Sequence, residues 1–257
     1  MNTRIQIFGM NMAAISFDNT TYVLLGRQNS MFKEVETLSN NIANANTPGF
    51  QRQSMIFEKV LHNATHKDVI NYSRDVSTVR NVNPGDYKST GNKFDVALVG
   101  QGVYFRVNTP QGERYTRGGN FTLNAQGQLV TPQGYQVLNN GGEAIVINDI
   151  DQDIVVREDG TITAGPEVIG NIGIAQFENE QFMQPRGNGL LEALVDPLPN
   201  AANFQVYQGV LELSNVEPIV ELTTLIDAQR NVSTGTTIIN SLDEMEKTAF
   251  RIFGKVS

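Results

Sequence analysis

The chain has 257 residues, 40% hydrophobic and 18% charged, and its 19 basic and 27 acidic side chains give a formal net charge of -8. That length permits one large or two modest domains, with ample chain for a core. The absence of Cys excludes a disulfide scaffold, thiolate catalysis and cysteine-ligated metal, and the acidic balance argues against non-specific affinity for nucleic acid or anionic membranes.

No stretch is apolar and long enough for integral membrane insertion. Residues 1–21 carry apolar side chains, but Gln6, Gly9 and Asn11 interrupt any signal-peptide core. This segment is expected to be a flexible N-terminal tail, with a cleaved signal as the alternative. Residues 22–48 form the first helical pattern. Leu24, Met31, Val35, Leu38, Ile42 and Ala45 recur at spacings of three and four, with Gln28 in the one gap. That is a heptad seam on a helix ~35 Å long, and no partner helix lies nearby in sequence. Residues 49–90 are expected to be an extended linker, since the stretch from Lys67 to Asn92 is polar, with Pro84-Gly85 inside it and little periodicity.

From 91 to 205 the pattern changes to short alternating runs: Phe94–Val99, Val103–Asn108, Phe121–Asn124, Gln128–Thr131, Ala144–Asn148 and Ile154–Arg157. Gly-bearing turns separate them. Thr109-Pro110-Gln111-Gly112 and Thr131-Pro132-Gln133-Gly134 both place Pro second and Gly fourth, as type I turns prefer. This predicts an antiparallel β-rich outer domain built from hairpins. Residues 206–257 end in a second helix. Ser214 and Glu217 fit a capping box, with Pro218 in the first turn. Leu222, Leu225, Gln229, Val232, Thr236 and Ile239 then repeat at three and four, after which the phase slips to Leu242. Polar and small seam residues make this helix weak alone. The fold class is therefore α+β with a mainly β centre, its N- and C-terminal helices pairing as a coiled coil.

Reaction chemistry finds little support. Gly100-Gln101-Gly102 begins a dinucleotide fingerprint, but Phe105 replaces the third Gly and no helix follows. Asp149, Asp151 and Asp153 alternate like calcium ligands, yet Ile154 and Gly160 stand where the loop needs Gly and Glu. His62 and His66 lack further zinc ligands. No catalytic, cofactor or metal residue is assigned. The richest stretch is Leu38 to Phe50, where Asn40, Asn41, Asn44 and Asn46 crowd a helix end. Pro48-Gly49 suits the centre of a type II turn, and Phe50 offers an apolar anchor.

This run, with Asn40, Asn41, Asn44, Thr47, Gly49 and Phe50, resembles the N-terminal signature of the bacterial flagellar rod and hook proteins, A-N-N-[LI]-A-N-x-x-T-x-G-[FY]. Gln208 to Pro218, with Ser214, Asn215, Val216 and Pro218, resembles the family's C-terminal motif G-x-[LV]-E-x-S-N-V-[ND]-P. Phe94-Asp95-Val96-Ala97 and Tyr115-Thr116-Arg117-Gly118-Gly119-Asn120-Phe121 resemble its central blocks. The length and the short connection from Gly49 to Phe94 are closer to proximal-rod members than to the longer hook protein. The resemblance implies a structural, non-enzymatic motility protein of the flagellar basal body. Its terminal helices would line a tube and its β domain would face outward. Partners would be other rod subunits, copies of itself and the type III export apparatus. Phe57 to Leu61 resembles the short F-x-x-x-[LV] export-gate segment. The helical termini are expected to be largely disordered before assembly. A distal-rod or hook-type protein is the first alternative, and a carbohydrate-binding or enzymatic β module a distant one.

Overall fold

Two long helices and a set of mostly antiparallel strands make up the computed structural model, which describes residues 5–63, 69–148 and 153–253. The chain divides into two units. One holds helix α1 (Ile5–Ala43), strands β1 (Gln53–Asn63) and β2 (Val69–Arg80), and helix α2 (Pro218–Phe253). Strands β1 and β2 form a two-stranded ribbon.

The other unit carries the remaining strands. They are β3 (Tyr87–Ser89), β4 (Val96–Val99), β5 (Val103–Thr109), β6 (Gly112–Thr116), β7 (Thr122–Leu123), β8 (Leu129–Val130) and β9 (Gln136–Val137). There follow β10 (Ile154–Val156), β11 (Thr161–Ala164), β12 (Glu167–Asn171), β13 (Ile174–Gln176), β14 (Met183–Pro185), β15 (Leu191–Ala193), β16 (Gln205–Gln208) and β17 (Val210–Glu212). The largest sheet runs β14-β15-β6-β5-β9-β8-β7, with β13 added on β5. A second sheet runs β10-β11-β12, while β16 pairs with β4 and β17 with β3.

Alternation along β5 explains its central place. Val103, Phe105 and Val107 are buried with Val96, Leu98, Phe121 and Ile147 in the main core, and Phe105 meets Phe121 edge-on at 5.2 Å. Tyr104 points the other way into a smaller cluster with Tyr115, Phe177 and Met183. The two Pro-bearing turns fall where the spacing put them. The first joins β5 to β6 with Thr109 opposite Gly112, and in the second Gly134 N–H donates to Thr131 carbonyl at 2.8 Å. Both glycines have positive φ, which only Gly adopts without cost.

Several boundaries differ from the sequence expectation. Helix α1 is described from Ile5, inside the expected tail. The expected linker 49–90 contains β1, β2 and β3, because β-branched residues in Ile56, Val60, Val69, Ile70 and Val76 favour strand among their polar neighbours. Ala144–Asn148 makes isolated bridges, Ala144 with Leu138 and Val146 with Gln128, rather than a strand. Strands β16 and β17 occupy the start of the expected C-terminal helix segment. Pro218 opens α2 as expected. Ser214 lies too far upstream to cap it and instead accepts Val216 N–H at 3.3 Å.

Helix α2 has one continuous inward stripe. Among its described residues only Glu221, Leu225, Ala228, Val232, Gly235, Ile239 and Leu242 are buried or half-buried. Their spacing alternates four and three without a slip, a full heptad repeat. The expected seam was one residue out of register in places: Leu222 is 51% exposed, while Glu221 beside it is 1% exposed. Among the described residues, hydrogen bonds that cross from α1 to α2 include Asn41 Nδ2 to Glu221 Oε2 at 3.0 Å and Gln28 Nε2 to Thr236 Oγ1 at 2.9 Å. Moving from the first to the second goes back along α1 and forward along α2, so the helices run antiparallel there.

Candidate functional site

The residues singled out by motif gather at two polar junctions, one in each unit. In the helical unit, Asn41 is completely buried. Its Oδ1 accepts Gln53 N–H at 2.9 Å and its Nδ2 donates to Gln53 carbonyl at 2.8 Å, so the side chain imitates a neighbouring strand residue at the start of β1. The same Nδ2 reaches Glu221 in the first turn of α2. Of the expected α1 seam, Leu38 is buried and Leu24, Met31, Val35 and Ile42 are half-buried; on α2, Leu225, Val232 and Ile239 are half-buried.

In the β unit, helix α1 gives way to the expected turn. Phe50 N–H donates to Thr47 carbonyl at 3.2 Å, with Pro48 and Gly49 between and Gly49 at φ 68°, the geometry of a type II turn. Thr47 Oγ1 lies 3.2 Å from Asn44 Oδ1. Gly49 N–H donates to Glu212 carbonyl at 2.9 Å. A Cβ there would fall 2.4 Å from the Arg117 and Gly118 backbone, so close approach as well as φ demands glycine. Asn215 binds three main-chain groups: its Oδ1 accepts Arg52 N–H at 2.6 Å, and its Nδ2 donates to the carbonyls of Asn81 at 2.9 Å and Asn83 at 2.7 Å. Val216 is buried beside it in sequence.

An ion pair completes this junction. Arg117 Nη2 and Nε lie 2.7 and 2.9 Å from Glu212 Oε2, with side-chain exposures of 5% and 2%. Arg117 Nη1 also donates to Val103 carbonyl at 2.8 Å and Gly100 carbonyl at 3.2 Å. Burial raises the Glu212 pKa; the Arg117 charge and hydrogen bond and the Gly85 N–H oppose it, and Glu180 adds a smaller upward push. Nearby, Arg80 donates to Gln51 Oε1 and Glu180 carbonyl, and Tyr104 donates to the Glu180 carboxylate. Burial first, and then Glu180, pushes the Tyr104 phenol up to about 12.

These contacts satisfy buried charge and main-chain groups. Gly100 and Gly102 shape the turn between β4 and β5, and a Cβ on Gly102 would meet Phe177 carbonyl at 2.2 Å. Among the described residues no group of acidic or histidine side chains could hold a metal ion, and no helix is long and apolar enough to cross a membrane. Asp149, Asp151 and His66 lie outside the described residues; Phe57 and Leu61 fall on β1. Asn41 and Asn215 were visible as motif residues, but their partners were not. The Arg117–Glu212 pair joins residues 95 apart, and only an Arg and a Glu standing in two short motifs hinted at it.

Motif residues committed to holding strands and helices together, with long terminal helices that keep apolar side chains exposed, define a structural assembly subunit. Comparison with known proteins agrees. Residues 22–51 match the model of the flagella basal body rod protein, 97–164 that of the flagellar hook protein FlgE/F/G D1 domain, and 207–252 that of the flagellar basal body rod FlgEFG protein C-terminal region. The flagellar basal-body rod protein FlgF of Caulobacter vibrioides is 33% identical over 245 residues, covering 93% of this chain and 100% of its own. That of Mesorhizobium japonicum is 29% identical, covering 93% and 99%. The rod protein FlgG of Agrobacterium fabrum is 34% identical, covering 82% of this chain and 90% of its own. The chain belongs to the flagellar basal-body rod protein family, whose members are structural proteins of the basal body rather than enzymes.

Proposed function

We infer that the chain is a structural subunit of the proximal rod, part of the drive shaft that carries motor torque to the hook and filament. The observation that carries this reading is the match along 93% of the chain to a full-length FlgF relative. The FlgG relative favours a distal-rod role as the second reading, but it covers less of the chain.

In this account α1 and α2 pair as an antiparallel coiled coil through Leu24, Met31, Val35, Leu38 and Ile42 against Glu221, Leu225, Ala228, Val232 and Ile239. Burial is deepest near Asn41 and Glu221 and falls along both helices, where Phe32 and Met245 are exposed. Ile219, Leu222 and Ile226 form a second, outward stripe on α2, all exposed, suited to neighbouring rod subunits or further copies. The turns nearest the junction therefore hold in the free chain, and the distal turns gain order on assembly. Six Ser and Thr hydroxyls of α2, from Thr223 to Ser241, donate back to carbonyls four residues earlier, which weakens a lone helix. The subunit leaves through the type III export apparatus without a cleaved signal, with Phe57 to Leu61 as the gate segment, and works in the periplasm-spanning rod.

Deletion of the gene followed by electron microscopy of basal bodies tests the role. The expected result is basal bodies without a complete rod and loss of swimming, restored by the intact gene. Complete rods and normal swimming in the deletion strain would refute it.

A further inference from the structure

A two-stranded ribbon is marginal alone in water, so the order of β1 and β2 depends on what holds its base. At that base, both main-chain groups of Gln53 are taken by the Asn41 side chain. The pairing fixes the amide: Gln53 N–H requires Oδ1, and Gln53 carbonyl requires Nδ2. Nδ2 has one further hydrogen, and it points to Glu221 Oε2 at 3.0 Å. Asn41 and Glu221 are both buried, so water cannot readily replace the carboxylate. A buried donor deprived of its partner favours another arrangement. The amide orientation that supports β1 is thus completed by a residue of α2.

We propose that Glu221 is a positioning residue that acts through Asn41 on the ribbon, so that β1 and β2 are held when the first turns of α2 dock on α1 and loosen when α2 leaves. The inference rests on the proposed pairing of the two helices. The coupling is local and uses hydrogen bonds alone. It ties the order of the β1–β2 ribbon to the docking of α2. A subunit in transit would therefore carry a slack ribbon, and one with its helices in place a stiff one.

Hydrogen–deuterium exchange on the purified full-length chain tests the coupling. In Glu221→Leu, peptides covering 53–63 and 69–80 should exchange at least tenfold faster. Peptides covering 222–242 should keep their parental rate or slow, because Leu favours helix and the stripe. Glu221→Gln retains an oxygen for Asn41 and should stay within about twofold of the parent throughout. Asn41→Ala should accelerate the ribbon as Glu221→Leu does, and the double variant should be no faster than Asn41→Ala alone. Parental ribbon rates in Glu221→Leu, or additive effects in the double variant, would overturn the coupling while leaving helix pairing intact. Unprotected exchange across 221–228 in the parent would overturn helix pairing in the free chain, and the coupling with it.

Discussion

Replacing Arg117 with Ala removes the guanidinium from a carboxylate that is 2% exposed and frees two carbonyls it also serves. Breaking a buried pair by deleting one partner typically costs ~3–5 kcal/mol, because the other charge stays buried. With a urea dependence of ~2 kcal/mol per molar, the midpoint of the β unit should fall by ~1.5–2.5 M. The chain has no Trp, so Tyr fluorescence follows the transition through buried Tyr104 and Tyr115. The pH dependence gives the direction of the effect independently. The Glu212 carboxyl already titrates above its ordinary value because of burial, and Arg117 is the leading force opposing that rise. A folded state that prefers the protonated acid is most favoured below the unfolded pKa and loses that advantage as pH rises through the folded value. Without Arg117 the rise grows, so the variant's deficit should be largest at pH 7 and smaller at pH 5. Glu212→Gln added to Arg117→Ala should recover part of the loss at pH 7. A loss below ~1 kcal/mol, or one that does not shrink in acid, would refute the ion pair as the centre of this junction.

Gly49→Ala should destabilise the β unit by at least ~2 kcal/mol, since it forces positive φ on a side chain and drives Cβ into backbone; an unchanged urea midpoint would contradict the turn. Ultraviolet titration should find Tyr104 and Tyr115 ionising near 12, held there first by burial. Their contribution to stability is full below pH 10 and lost as pH rises through about 12, and Tyr104→Phe should remove one late-titrating phenol. Leu38→Asp and Leu225→Asp should abolish swimming while leaving the β unit's unfolding midpoint unchanged, and should reduce helical circular dichroism in the purified chain. Leu222→Asp should keep that helical signal and lose swimming, because its side chain faces outward; loss of helix in this variant would place it on the inner stripe.

Local chemistry made much of this fold legible. Pro48-Gly49, Thr109 to Gly112 and Thr131 to Gly134 form turns because their steric demands act within four residues. The heptad of α1 and the alternation of β5 follow from periodic burial. The features that are not legible locally depend on distant partners. Glu221 occupies an inner position of α2 that hydrophobicity assigns to Leu222, because a carboxylate can be buried only when a donor such as Asn41 awaits it. That substitution also created the apparent slip before Leu242. Ribbon β1–β2 reads as linker from sequence because polar residues interrupt its apolar ones. Of the junctions, the asparagines were visible as unusual, but their function lies in the main chain of Gln53, Arg52, Asn81 and Asn83.

Cryo-electron microscopy of intact basal bodies tests the central claim most directly. This chain is expected in the proximal rod, with α1 and α2 antiparallel on the axial side. A rod that lacks the chain, or one whose axial wall is built from the β unit, would contradict it.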